Sequence, residues 1–253
     1  MGYKELISPE FCVSMEGYEI TSGIEVEFFS SKEARADWCR VELTSQLQGI
    51  ITYKDMERAS VELGYGNDYD VLLNGYCRRA ESDYWKEIII RDAMVNLERI
   101  SIKGTFVDCT PQDIIHYILV QGGIAEYKLD SREYGKKGTF IAGQQNGIEA
   151  IEQVGAAWDI NNNFFFRDGI FYWGCRPKQE TIYTLEENEN ILSLKKYGRL
   201  YELETFGIPW IHHSQDVEIL HSRYSGIVNV EKIIIKSDAR GYTRMYIYFK
   251  GGS

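Results

Sequence analysis

Three of the four histidines fall within the ten-residue stretch "HHSQDVEILH", as His212, His213 and His221. Histidine is well suited to hold a metal ion or move a proton near neutral pH. Zinc enzymes place paired histidines four residues apart on a helix or join them to nearby cysteines, and neither spacing occurs here. Adjacent strand residues point to opposite faces, so His212 and His213 would not share one ion. They are expected to be loop or barrel-surface histidines, with no metal site. Cys109 stands just before Thr110, the expected start of a helix, where a thiol's pKa can fall. It has no recognisable histidine partner and is expected to be structural. The pairs Glu25/Glu27 and Glu186/Glu187 are what an acidic chain shows on a solvated face, and a glycosidase would need two carboxylates fixed across a cleft. "GYGND" (Gly64–Asp68) lies between two strand patterns and reads as a turn, not a phosphate loop. No GxxxxGK[ST], no GxGxxG opening a helix and no GxSxG occurs. No catalytic, cofactor-binding or metal-binding residue is assigned. These absences point away from an enzyme and toward a structural or binding protein.

The composition agrees with such a role. The 253 residues are 44% hydrophobic and 13% aromatic, with 18 Tyr and only four Pro, which favours pleated, half-buried surfaces. The net charge of −10 is uneven: residues 1–100 hold 19 acidic against 11 basic side chains, while residues 181–253 hold nine of each. No segment has the basic excess that counterion release from nucleic acid requires, so specific nucleic-acid binding is not expected. The five cysteines are single, the first residues lack the apolar core of an export signal, and Leu6 spoils a myristoylation site at Gly2. No apolar run reaches the ~18 residues that span a bilayer, so no membrane partner is expected.

The elements that would carry these residues are mostly strands. Ile24, Val26 and Phe28 alternate with Glu25 and Glu27; the pattern breaks over the charged run Ser30–Asp37 and resumes at Cys39, Val41 and Leu43. "RASVELGYG", "YDVLLNGYCRRAES" and "KEIIIRDAMVNLERI" continue it, with Gly64, Gly66, Asn67 and Asp68 supplying a turn. "LTSQLQGIITYKDM" fits a short helix or a wide loop. The middle differs. Thr110, Pro111 and Asp113 open a helix whose face holds Ile114, Ile115, Ile118 and Leu119 and which Gly122-Gly123 ends. A second helix places Ile148, Ile151, Val154 and Trp158 together, and Asp168-Gly169 then turns an aromatic hairpin, Phe164–Trp173. Such a hairpin can stack on sugars or pack into a core or subunit interface. Strands return in "TIYTLEENENILSLKKYGRLYEL" (two around a polar loop), "DVEILHSRY", "GIVNVEKIIIKSD" and "TRMYIYFK". The expected fold class is mainly β with an α/β middle: an N-terminal β-barrel over 1–100, an α/β module over 101–180 and a C-terminal β-barrel over 181–253.

In order and texture, "GIEVEFFSSKEARADWCRVEL", "GTFVDCTPQDIIHYIL", "GIEAIEQVGAAWDINNNFFFRDGIFYWG" and "GIVNVEKIIIKSDARGYTRMYIYF" resemble the hub proteins of contractile phage tails and tailocin baseplates. These form the late-control, XkdQ-like family related to the base of the VgrG spike. The resemblance covers nearly the whole chain. It implies two small barrels per chain and a homotrimeric ring that adapts the hexameric tail tube to the trimeric spike. It also implies contacts with tail tube, spike and other baseplate proteins, a place in the tail particle after synthesis in the bacterial cytoplasm, no cofactor and no reaction. Ser30–Asp37 would then be a loop reaching a neighbouring subunit or ring. The N-terminal acidity would line a lumen or simply keep the chain soluble. Two other readings stay open: another tail-tip component such as a distal tail protein, and a carbohydrate-binding or glycan-cleaving domain using the aromatic hairpin and the acidic residues.

Overall fold

Along the last strand, Met245, Ile247 and Phe249 are fully buried while Tyr246 and Tyr248 stay half exposed, as a period of two demands. The same alternation recurs through the computed structural model, which describes residues 8–66, 68–79 and 86–251. In chain order the elements are β1 (Pro9–Met15), β2 (Tyr18–Ile20), β3 (Ile24–Ser31), β4 (Trp38–Leu43), β5 (Arg58–Tyr65), β6 (Asp68–Arg78), β7 (Glu87–Asp92), α1 (Met94–Arg99), β8 (Ile102–Cys109), α2 (Pro111–Gln121), β9 (Tyr127–Leu129), β10 (Lys137–Gln145), α3 (Gly147–Trp158), β11 (Phe164–Arg167), β12 (Ile170–Trp173), β13 (Tyr183–Glu186), β14 (Ile191–Tyr197), β15 (Leu200–Thr205), β16 (Asp216–His221), β17 (Tyr224–Ser237) and β18 (Thr243–Lys250). The fold is mainly β. The chain divides into two compact units, one made of residues 1–92 with 178–253 and the other of residues 93–177.

In the first unit the N- and C-terminal strands belong to one sheet. Its order is β14-β15-β18-β17-β3-β4-β7-β6-β5-β1-β2, with β16 added to β17 and β13 to β16. The junction is the antiparallel pair β17–β3, in register from Lys232↔Ser31 to Ser237↔Val26. Among the described residues the path is open, since β2 and β14 are not paired with each other. One core underlies the junction: Phe28, Val41, Ile88 and Ile90 belong to the same buried cluster as Ile233, Ile235, Ile247 and Phe249. Each such side chain contributes about 1.5–3 kcal/mol on burial.

Several expectations change here. Gly64 lies within β5, paired with Tyr69, where a Cβ would come within 2.6 Å of that ring, and Asp68 begins β6; Gly66 makes the turn at φ 65°, and Asn67 lies outside the described residues. The run "KEIIIRDAMVNLERI" is a strand and then a helix, since Met94, Val95 and Leu97 are buried at helical spacing. Residues 44–57 form turns and loop without a helix. The stretch after 181 holds three strands, not two, because β13 pairs in parallel with β16. Neither β1 nor β2 was expected.

The second unit contains the helices. Thr110 and Asp113 form a reciprocal capping box on α2, and Asn146 and Glu149 form another on α3. The buried faces of the helices, Ile114, Ile115, Ile118 and Leu119 on α2 and Ile148, Ile151 and Val154 on α3, follow the sequence pattern, while Trp158 at the end of α3 is only half-buried. At the hairpin, Asp168 (φ 52°) and Gly169 (φ 77°) both take the left-handed conformation of a type I′ turn, pairing β11 with β12. β9 adds to β12 in parallel, and β8 pairs with β10 as a separate two-stranded ribbon.

Candidate assembly site

The side chains singled out for chemistry are dispersed. Cys109 is buried at the end of β8, its Sγ 3.9 Å from the Lys137 carbonyl oxygen. Burial pushes the Cys77 thiol up to about 12 and raises Cys39 as well, so neither is an available nucleophile. His116 Nδ1 is 2.6 Å from the Tyr127 hydroxyl. His212 and His213 lie in the loop before β16 and are buried, not on the surface, while His221 ends β16 with Nε2 3.4 Å from Glu187. Ser222 donates to Glu187 from its backbone and its hydroxyl, which holds that carboxyl below its ordinary value. Glu186 is exposed. Among the described residues no three His, Cys, Asp or Glu side chains are arranged to hold a metal ion, and no helix is long and apolar enough to cross a membrane. The hairpin rings are buried, Trp173 to 1% exposure, and Phe165 stacks on Tyr172 at 5.5 Å. Buried rings cannot stack on a sugar, so the hairpin does not supply the expected stacking platform.

A buried polar cluster that no sequence motif announced joins the two ends of the chain. Asp37 accepts from Ser30 Oγ at 2.5 Å and from the Ser31 backbone N–H at 3.0 Å. The Asp37 N–H donates to Asp92 Oδ2 at 3.0 Å, and the Asp92 N–H donates back to the Asp37 carbonyl at 3.1 Å. From the C-terminal segment, His213 Nε2 lies 3.7 Å from Asp37 Oδ2, while His213 Nδ1 is 2.8 Å from Ser214 Oγ. The Ser214 N–H donates to the Val230 carbonyl, pinning this loop to β17. Ser, His and Asp side chains thus adjoin, but all are buried and none lines either groove described below. A nucleophile needs a place for its substrate, and neither groove reaches this buried cluster, whose hydrogen bonds tie the segments together as a polar staple.

The staple also corrects the expectation for Ser30–Asp37. Its first two residues belong to β3, and Ala36 and Asp37 are buried. Lys32 pairs with Glu231 at 2.8 Å and donates to Asn229 at 3.1 Å, and Lys250 pairs with Glu33 at 3.2 Å. The segment is tied to the C-terminal strands at Lys32 and Asp37, while Glu33 and Arg35 between them stay exposed. Deleting it would remove the end of β3 and Asp37, leaving the buried Asp92 N–H without its acceptor and His213 without its carboxylate, so folding would suffer.

The outward face of the junction is charged. Lys236, Glu27 and Arg40 stand in register across β17, β3 and β4, with Lys236 2.8 Å from Glu27. In the next row Glu25, Glu42 and Glu87 are direct cross-strand neighbours, a like-charge alignment that Arg40 relieves by pairing with Glu42 at 2.7 Å and Glu87 at 3.0 Å. A groove of about 440 Å³ runs over these rows, lined by Glu25, Glu27, Arg40, Lys236, Arg244 and Tyr246 among others. A second, of about 490 Å³, lies by Ser22, Gly23, Asp238 and Arg240. These are open polar surfaces whose charges are largely spent on one another, suited to protein contact more than to holding a small molecule.

The fold defined by this sheet and the inserted α/β unit is that of phage tail proteins. The 43 kDa tail protein of prophage MuSo2 from Shewanella oneidensis superposes with a TM-score of 0.75 at 13% identity, over 96% of this chain and 97% of that one. The tail protein from Neisseria meningitidis MC58 gives 0.71 at 11% identity, again over 96% and 97%. The E. coli c3393 protein gives 0.68 at 11% identity, over 95% of this chain and 77% of that one; it is described as a type VI secretion component structurally similar to the phage T4 tail proteins gp27 and gp5. At such identities the likeness is one of fold. Neither a protein-family model nor a curated protein sequence matches the chain.

Proposed function

We propose that the chain is a non-enzymatic hub of a contractile tail baseplate, in a phage or a tailocin, three copies of which form a ring between the hexameric tail tube and the trimeric spike. The observation that carries this reading is the likeness to tail proteins over 96% of the chain, with an equal share of theirs. The c3393 protein adds a secretion-system component described as similar to gp27 and gp5, proteins of a T4 tail. In this reading each β-rich segment curls as a small barrel, and the β17–β3 pair ties the two together. One chain then offers two similar modules, and three chains offer the six that a hexameric tube requires. The Glu25–Glu42–Glu87 row is the wall of the lumen, repelling acidic cargo in transit. The partners are tail tube, spike and other baseplate proteins, and the site of action is the assembled tail.

The test is the solution mass by light scattering of the purified chain, alone and mixed with its spike. A three-chain mass in either sample is expected. A six-chain mass would favour a distal tail protein, and a monomer in both would overturn the ring.

A further inference from the structure

The β8–β10 ribbon leaves more unsatisfied surface than a two-stranded sheet can keep in water. Among the described residues each strand pairs only with the other, so both outer edges lack strand partners. One face packs inward, with Phe106 against Tyr117 of α2 and Phe140 against Trp158 of α3. The other presents Val107, 72% exposed, opposite Thr139, and Ile141, 64% exposed, opposite Thr105. Beside this apolar centre Lys103 is exposed and Lys136 pairs with the single acid Asp108 at 3.0 Å, on a chain whose net charge is −10; Lys137 instead lies over the Trp158 ring, 5.3 Å from its centroid.

A face of the reverse character lies on the C-terminal strands. Cross-strand register brings Thr184, Glu218 and Ile227 into one row of β13, β16 and β17, and Glu186, Leu220 and Ser225 into the next. Ile227 is 60% exposed, and Glu186, Glu218 and Asp216 lie on its face with no lysine or arginine at these strand positions, although Lys32 reaches Asn229 at the Asp216 end. β13 is itself an edge strand, paired only with β16 among the described residues.

We infer that the outward face of the β8–β10 ribbon docks on the acidic β13–β16–β17 face of a second copy of this chain. Apolar centre meets apolar centre, while Lys103, and Lys136 by exchanging Asp108 for a carboxylate of the other copy, meet the acidic rim. The two faces come from different parts of the chain, so the contact is heterologous and repeats from copy to copy until a ring closes. This names the contact within the proposed ring and rests on that reading.

The test is the mass of the full-length protein by light scattering over a concentration series, with circular dichroism to confirm folding. Lys103→Glu with Lys136→Glu, or Glu186→Lys with Glu218→Lys, weakens self-association by roughly tenfold or more, and the chain carrying all four changes recovers it. Val107→Asp with Ile141→Asp gives a folded monomer. A wild-type ring whose mass survives either double charge reversal, or a four-fold variant that stays dissociated, overturns the docking face and leaves the ring reading standing. A wild type that is monomeric both alone and with the spike overturns the docking face together with the ring.

Discussion

Asp37 carries three structural duties at once: it accepts from Ser30 and Ser31, and it faces His213. Replacing it by alanine strands buried donors, and the expected loss is about 2–4 kcal/mol of unfolding free energy, read from urea titration. Asp130 in the second unit is a different case. Burial alone would raise its pKa, but Arg132 (side chain and backbone), Tyr134 and Asn162 all donate to it and hold the carboxyl well below the usual range. A depressed folded pKa gives stability that is complete above the unfolded value near ~4 and is lost as pH falls through the folded one. Asp130→Asn removes that dependence, so between about pH 6 and about pH 3 the variant's urea midpoint falls less than the wild type's. Neither residue was singled out in the sequence. Each is an isolated aspartate that adds a distant partner, His213 for Asp37 and Asn162 for Asp130, to nearby donors, and only folding brings the distant one within reach.

At the scale of elements, local chemistry spoke clearly where it was local. The Thr110 cap, the Pro111 start and the Asp168-Gly169 turn depend on residues within a few positions, and they stand where spacing put them. Thr110→Ala or Asn146→Ala should each cost ~1 kcal/mol in thermal or urea unfolding, since each removes the acceptor for an orphan helix N–H. Strands with one apolar face, such as β3, β4, β5 and β18, were equally legible. The ribbon strand β10 was not: "KGTFIAGQQ" has six polar or glycine residues against three apolar ones, and β8 is what makes it a strand. α1 was absorbed into the preceding strand pattern because six residues are too few to establish a helical period.

For the whole molecule the decisive feature is the β17–β3 pair, which joins residues about 200 positions apart into one sheet and one core. Residues 1–92 expressed alone should therefore lack a cooperative fold: β3 loses its neighbour, Asp37 loses His213, and half of the shared core is missing. Circular dichroism and amide proton dispersion would check this, and a well-folded 1–92 fragment would contradict the shared core. Composition, alternation and turn chemistry determined that the chain is mainly β, that helices lie in its middle and that no nucleotide, zinc or serine-hydrolase motif is present, because those properties are written in neighbouring residues. Tertiary structure alone decided which strands adjoin, that Ser30, Asp37, Asp92 and His213 meet in a sealed staple, and which faces remain open to a partner. Such outcomes depend on side-chain burial and pairing across long loops, where the energy comes from contacts that a linear pattern does not encode.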